Sequence, residues 1–443
     1  MKNHRSFGAL ECSGWSFRRT RRVMLVTQST AMGGMEMHVQ YLAAELIARR
    51  LEVSVVLPRA NVFDELARRC VGLDAEVLRL DTDGRNGRTS QFSSWLRYVR
   101  WARGHRPDVI HIHTGGATGG MAVAATSRWL LRATVVRTEH DVPEDVPGRW
   151  LKLSSRLTDA CCDAVVAVSR RNATLREEKL RAPHNFAAVL NGVPIPPDHS
   201  GPSHRLATRE ELGISLDEVV VGSVVRLADG KGLVDLMRAF ALLSSGTPRR
   251  LLLVGDGPLR PDLENLADSL GIADRVIFAG HQVDPDRFFR TMDIFVLAVP
   301  QGSMSIALLE AMARGVTSVI TFGGPEEAVI DGVTGRTAPP CEPAALAAVL
   351  SELVDDPPER ARLGVAGLEH VRASLSSGRV AQDLLSLYTS VRRYGVPVHL
   401  RATTSLHGAA DELNREDDSK ADSSRSVAPL STEGSAEVAP TVF

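Results

Sequence analysis

Two cations, Arg226 and Lys231, bracket the stretch R-L-A-D-G-K, which lies between an apolar run and an amphipathic one. Positive side chains beside a helix N-terminus, whose free N–H groups also attract anions, suit the grip of a diphosphate. On their own they do not outweigh a reading as solvated surface charges. Gly33 and Gly34 sit between the first apolar run and the first amphipathic stretch. Glycine there lets a backbone approach a phosphate, and an ordinary strand-to-helix turn fits equally. Gly255-Asp256-Gly257 begins like the dinucleotide fingerprint, but Arg260 takes the place of its third glycine, so a tight turn is the better reading.

His111 and His113 are two apart on a predicted strand and so share a face. His113 falls at the strand's C-terminal end, where open α/β sheets bind ligands. His140, in T-E-H-D, holds a comparable rim position. His111 reads as a buried structural histidine, and a metal pair would lack a third ligand nearby in sequence. Glu310 lies in S-I-A-L-L-E-A-M-A-R among apolar neighbours. A carboxylate in that company is paired or ligand-bound, because unpaired burial is costly; a place on a solvated stripe is the alternative. Glu326 and Glu327 follow Gly323-Gly324 and could reach the same rim. The stretches W-L-R-Y-V-R-W (95–101) and R-W-L-K-L-S-S-R-L (149–157) could touch membrane headgroups. Amphipathic helices packing within the domain are the favoured reading, since Trp and Arg stems commonly do so.

The elements that must position these groups alternate. Apolar runs at 23–26, 53–57 and 108–112 read as buried strands, with others near 133–138, 163–168 and 186–190. Between the first two, Val39, Leu42, Ala43, Leu46 and Ile47 mark one helical face. Proline and glycine at 194–204 (P-I-P-P-D-H-S-G-P-S-H) predict a linker opposed to helix and sheet. A second series follows, with strands at 219–225 and near 250–254, 275–278, 293–297 and 317–321, and helices near 232–244, 258–270, 303–314 and 342–355. Such alternation implies right-handed crossovers and parallel sheets, hence two α/β domains.

The 443 residues are 44% hydrophobic, which suits a globular chain of two or three domains. A net charge of -1 provides no global field for nucleic acid, which is not an expected partner. No apolar run reaches the roughly 18 residues a span requires, and no apolar core follows the basic N-terminus, which argues against a secretory signal. The five cysteines (Cys12, Cys70, Cys161, Cys162, Cys341) include no C-x-x-C pair, which argues against a disulfide framework or structural zinc. The expected setting is cytoplasmic, with peripheral contact at the inner face of a membrane left open.

In order, the motifs G-G-M-E (33–36), P-D-V-I-H-I-H (107–113), N-G-V (191–193), R-L-A-D-G-K-G (226–232), L-L-V-G-D-G-P (252–258), V-I-F-A-G (276–280), A-L-L-E-A-M-A-R-G (307–315), G-G-P-E-E (323–327) and D-G-V-T-G (331–335) resemble retaining glycosyltransferase family 4. The resemblance covers about residues 22–395 and implies the GT-B fold, two Rossmann-like parallel-sheet domains facing across a cleft. The expected divisions are a flexible extension (1–20), an acceptor-side domain (21–200) and a donor-binding domain (201–375). Residues 376–395 would cross back onto the first domain, and a disordered tail would span 400–443.

The resemblance also implies roles. Arg226 and Lys231 hold the donor diphosphate, and Glu310 binds ribose hydroxyls. Gly33, Gly34 and the helix start near Ser303 face phosphates or sugar. His113 lies beside the transferring sugar, Glu327 supports the nucleotide side, and the backbone near His281 and Gln282 meets the base. The implied reaction moves a sugar from a nucleotide-diphosphate donor to a glycan or lipid-linked acceptor, in cell-surface polysaccharide or glycoconjugate synthesis, without cofactor or metal. One departure stands out. Family members carry two glutamates seven residues apart; counting back from Glu310 reaches Gly302, with Gln301 before it. That leaves two further readings, a non-catalytic nucleotide-sugar-binding partner of another transferase, or an epimerase of the same fold.

Overall fold

The computed structural model describes residues 20–394 apart from 30–31, 82–86, 117–118, 142–148, 181–184, 198–201, 244–245, 303 and 324. Residues 1–19 of the expected extension, Ser303, Gly324 and the expected tail at 400–443 therefore lie outside the described residues.

The first sheet has seven strands: β1 (Arg22–Gln28), β2 (Glu52–Pro58), β3 (Glu76–Leu80), β4 (Val109–Thr114), β5 (Thr134–Glu139), β6 (Ala164–Ala167) and β7 (Phe186–Ala188), in the order β3-β2-β1-β4-β5-β6-β7. The second has six: β8 (Val219–Val224), β9 (Arg249–Val254), β10 (Val276–Gly280), β11 (Ile294–Leu297), β12 (Thr317–Thr321) and β13 (Arg336–Ala338), in the order β10-β9-β8-β11-β12-β13. Every neighbouring pair is parallel. In both sheets the order reverses beside the first strand, at β1/β4 and at β8/β11. Ligand crevices of open α/β sheets form at such a reversal.

Helices cover both faces, so the central strands are apolar on both sides. Val219 and Val221 point into one core, with Phe240 and Leu350, while Val220 points into the other, with Phe289 and Leu309. Removing a fully buried ring such as Phe240 would cost about 3–5 kcal/mol. Strands β3 and β13 extend the sheets beyond the expected set. Both are edge strands, where one flank meets solvent, so the mixed pattern E-V-L-R-L and the three-residue R-T-A suffice.

The chain passes between the lobes twice, side by side. Val193 N donates to Leu375 O (3.0 Å), and Ser377 N donates to Val193 O (2.8 Å). A Cβ on Gly192 would lie 2.7 Å from Leu375 O, so only glycine lets the two crossings touch. The helix Ser377–Tyr394 then lies against the first lobe, where Tyr388 packs on His111, Ser377 Oγ donates to Glu45 (2.7 Å) and Arg392 bonds Asp108 (3.2 Å). One expectation is corrected. The Pro/Gly-rich stretch 194–204 does not oppose helix throughout, because Pro202 opens the helix Pro202–Glu211. Proline is tolerated in the first turn, where its missing N–H would have no partner.

Candidate active site at the cleft between the sheets

The strand ends of the second sheet form a rim of closely packed loops. A Cβ on Gly232 would fall 1.8 Å from Ala298 O, one on Gly255 1.9 Å from Val225 O, and one on Gly257 2.3 Å from Leu227 O. Gly232 and Gly255 also have positive φ, 68° and 139°. The glycines of D-G-K-G and G-D-G thus let the loops after β8, β9 and β11 touch backbone to backbone. Arg226 at the end of β8, and Lys231 just before the helix Leu233–Ala241, stand exposed on this scaffold. Among the described residues no carboxylate neutralises either. Two cations held without partners beside a helix N-terminus form an anion-attracting edge.

Two helices face each other across the cleft. On the helix Gly34–Ala48, residues 34, 38 and 41 follow helical spacing and share a stripe. On the helix Ile306–Met312, residues 306 and 310 do the same. A Cβ on Gly34 would meet Ile306 at 3.4 Å, and the Tyr41 hydroxyl donates to the Glu310 carboxylate. Glu310 is buried; burial pushes its carboxyl up, while the Tyr41 bond and the Arg314 charge pull it down. Its apolar surroundings are therefore offset by a partner from the other lobe, 269 residues away in sequence.

The rim of the first sheet differs in kind. His113 at the end of β4, His140 just after β5, and His38 one turn into the first helix gather into a buried cluster. His113 Nδ1 and His140 Nε2 are 3.1 Å apart, and the His38 ring centroid lies 5.4 Å from His113 and 5.0 Å from His140. Burial lowers all three: His38 to about 4, His113 and His140 well below the usual imidazole range. The rings are thus neutral near pH 7. His111 sits beneath them with both ring nitrogens occupied, by Tyr388 (2.6 Å) and Thr138 (2.7 Å), which makes it structural. By contrast, His113 Nε2 and Glu36 Oε1 are buried without a partner among the described residues, while the His38 ring is met by the Asn191 side chain. Such atoms cost about 1–3 kcal/mol each unless something meets them, so this rim has hydrogen-bonding capacity to offer a polar partner. One nitrogen from each of His38, His113 and His140 lies within 4.8 Å of the others, so the trio could also hold a divalent cation. The third ligand that sequence proximity lacks comes from other elements.

The remaining predicted residues are distributed around this cleft. Gly33 and Gly34 are exposed at the first helix's start, with Gly33 as its extended N-cap. Glu327 accepts from Arg170 N (2.6 Å) and Arg171 N (3.1 Å), capping the helix Arg170–Leu180 of the other lobe. His281 is exposed beyond Gly280, and Gln282 Nε2 donates to Ala279 O (2.7 Å). Gln301 is exposed, and a Cβ on Gly302 would lie 2.9 Å from Val299. Sequence reasoning did not single out His38 or Tyr41, and met Asn191 only within the N-G-V motif. The signal for the first two is their helical spacing from Gly34.

Behind the histidine rim lies a buried charge network. Arg137 and Arg176 share Glu139 and Asp159, with Arg137 Nη2 and Arg176 Nη2 each 2.7 Å from Asp159. Glu139 immediately precedes His140, so the network anchors the strand end that carries that ring. Burial raises the Glu139 carboxyl, and the two guanidinium groups oppose the rise.

Comparison with known proteins agrees with this geometry. The family described as Glycosyltransferase Family 4 matches residues 32–195, and that described as Glycosyl transferases group 1 matches residues 205–370. The D-inositol 3-phosphate glycosyltransferase of Stackebrandtia nassauensis is 31% identical over 327 residues, covering 68% of this chain and 72% of that protein. The N-acetyl-alpha-D-glucosaminyl L-malate synthase of Bacillus anthracis is 27% identical over 291 residues, covering 65% and 75%. The structure of Anabaena HepE in complex with UDP superposes with a TM-score of 0.68 at 20% identity, covering 82% of this chain and 98% of that one. The two-lobed GT-B architecture is thereby shared.

Proposed function

The chain belongs to glycosyltransferase family 4, the group 1 glycosyltransferases, and we propose that it transfers a sugar from a nucleotide-diphosphate donor with retention of configuration. The observation that carries this reading is the pair of exposed, unneutralised cations, Arg226 and Lys231, at the β8/β11 reversal. They receive the diphosphate and take up the charge that develops as it departs. The sugar then extends toward the neutral His113 rim. The acceptor hydroxyl attacks the anomeric carbon from the face the diphosphate leaves, a phosphate oxygen takes its proton, and the new C–O bond replaces the old on the same side. Because the two cations supply the positive charge, transfer proceeds without a metal. The acceptor is a glycan or a lipid-linked glycan of cell-surface or glycoconjugate synthesis. Glu310, released by Tyr41, binds the ribose; Gln301 reaches the donor sugar in place of the missing carboxylate, an amide both donating to and accepting from hydroxyls.

The test is donor turnover with a cell-envelope acceptor fraction, followed by nuclear magnetic resonance of the product anomer. An α-linked product from an α-donor is expected, and an inverted anomer would overturn retention. Activity is expected to survive chelation. Loss on chelation with recovery on added metal would overturn the metal-free reading and make the His38, His113 and His140 trio one place to look for the cation. A second reading, a non-catalytic nucleotide-sugar-binding partner, draws support from Gly302, which stands where the family carries a glutamate and where a Cβ would press on Val299 (2.9 Å). Donor binding without transfer to any acceptor fraction would favour it.

A further inference from the structure

We propose that one face of the first lobe docks onto an anionic lipid surface. The face is built by the helix Gly87–His105, the helix Met121–Ala125 with its continuation Thr126–Leu130, and the helix Arg149–Ala160. All three segments contribute to one side of the first sheet's core: Tyr98 and Val99, Ala124, and Cys161 and Cys162 just past the third helix. They also hold one another. Trp95 Nε1 donates to Thr126 Oγ1 (2.9 Å), the Tyr98 and Ser127 hydroxyls are 2.8 Å apart, and the second helix packs against the third. The outer surface is therefore continuous.

That surface is apolar where a water-facing one would be polar. The third helix is turned inside out: Ser155, Thr158 and Asp159 are buried, while Trp150, Leu153 and Leu157, spaced along one stripe, are exposed. Trp150 is 83% exposed, Trp129 67% and Phe92 61%. This corrects the sequence reading in which the stretch at 149–157 packs inward. The inversion has a structural cause: Asp159 is claimed by the buried guanidinium groups of Arg137 and Arg176, which fixes the helix with its polar side inward.

Charge identifies the occupant. Arg97, Arg100, Arg103, Lys152 and Arg156 are exposed on these segments, and among their described residues no carboxylate is exposed. The chain as a whole carries -1, whereas the exposed charges of these segments are all positive. Tryptophan and leucine interleaved with arginine and lysine on helices lying flat match the boundary between headgroups and acyl chains of an anionic bilayer. No helix of the described residues is long and apolar enough to cross a membrane, so the contact is superficial. The first and third helices follow β3 and β5, so Phe92 and Trp150 stand toward the strand-end edge that carries the histidine rim. Docking would bring that edge to the bilayer, and a lipid-linked acceptor would enter the cleft from it. This last step rests on the proposed transfer; the docking itself does not.

The experiment is co-sedimentation of the full chain with vesicles of phosphatidylcholine alone or with 40% (roughly) phosphatidylglycerol. Salt-sensitive binding to the anionic vesicles alone is expected. Arg97→Glu/Arg100→Glu/Arg156→Glu and Trp150→Ser/Leu153→Ser should each cut it by about tenfold or more. Both variants should keep the wild-type melting temperature and the thermal shift given by free nucleotide, which separates failure here from failure of the cleft reading. Absent binding by the wild type at low salt would overturn the proposal, as would equal binding by both variants. A concentration-dependent dimer abolished by Trp150→Ser/Leu153→Ser, with no vesicle binding, would assign the face to a second copy instead.

Discussion

The two rims of the cleft solve opposite problems. On the second lobe, Arg226 and Lys231 are charged and exposed, raised on loops whose glycines lock carbonyl against backbone. On the first lobe, His38, His113 and His140 are buried and neutral, and His113 keeps an unmatched ring nitrogen. The first arrangement suits a diphosphate, whose charge needs countercharge. The second suits hydroxyl groups, which a neutral imidazole can both donate to and accept from. A single substrate with an anionic half and a hydroxylated half satisfies both at once. The difference teaches that the polarity of a site is set by burial as much as by residue type, since exposed imidazoles at the same edge would titrate near neutral pH.

The largest expected effect separates the rims by pH. His38 and His111 titrate at about 4 and about 3 when folded, below an unfolded value of about 6.5, and His113 and His140 are lowered too. Between those values the unfolded chain binds more protons, so stability falls as pH drops below about 6.5. Each histidine contributes up to about 1.4 kcal/mol per pH unit, and urea unfolding at pH 7.5 and 5.5 should show a loss of several kcal/mol. Equal midpoints would contradict the buried neutral cluster.

Next is Asp159→Asn, which leaves Arg137 and Arg176 short of a charge and should cost about 3–5 kcal/mol. Nucleotide affinity, which belongs to the other lobe, should persist in the folded fraction. Lost affinity at unchanged stability would reverse the division of labour. Smaller still, Glu310→Ala should weaken nucleotide binding by about 1.5–3 kcal/mol, read by calorimetry. Tyr41→Phe should leave binding intact or strengthen it, because it frees the carboxylate. Unaltered binding by Glu310→Ala, together with a lowered melting temperature, would make the Tyr41–Glu310 bond a strut between lobes and nothing more.

Much of this architecture could be read in the sequence, because strand and helix periods are local. The alternating apolar runs, the glycine turns at 230–232 and 255–257, and the rim position of His113 all follow from neighbours in the chain. What could not be read is nonlocal. His38 joins a cluster with residues 75 and 102 positions away only because the first helix packs against β4, the strand paired with β5. Glu327 finds its amides on the opposite lobe. A period also reveals a stripe without saying which way it faces, and so the helix Arg149–Ala160 reads as a packed amphipathic helix although its apolar stripe is turned outward.

The central claim is that the second-lobe cations hold the donor diphosphate. It is tested most directly by donor turnover in Arg226→Ala and Lys231→Ala. Both side chains are exposed, so both variants should melt like the wild type. Each should lose at least about tenfold in turnover, corresponding to about 1.5–3 kcal/mol of lost charge-assisted contact. Wild-type turnover in both variants would contradict the account.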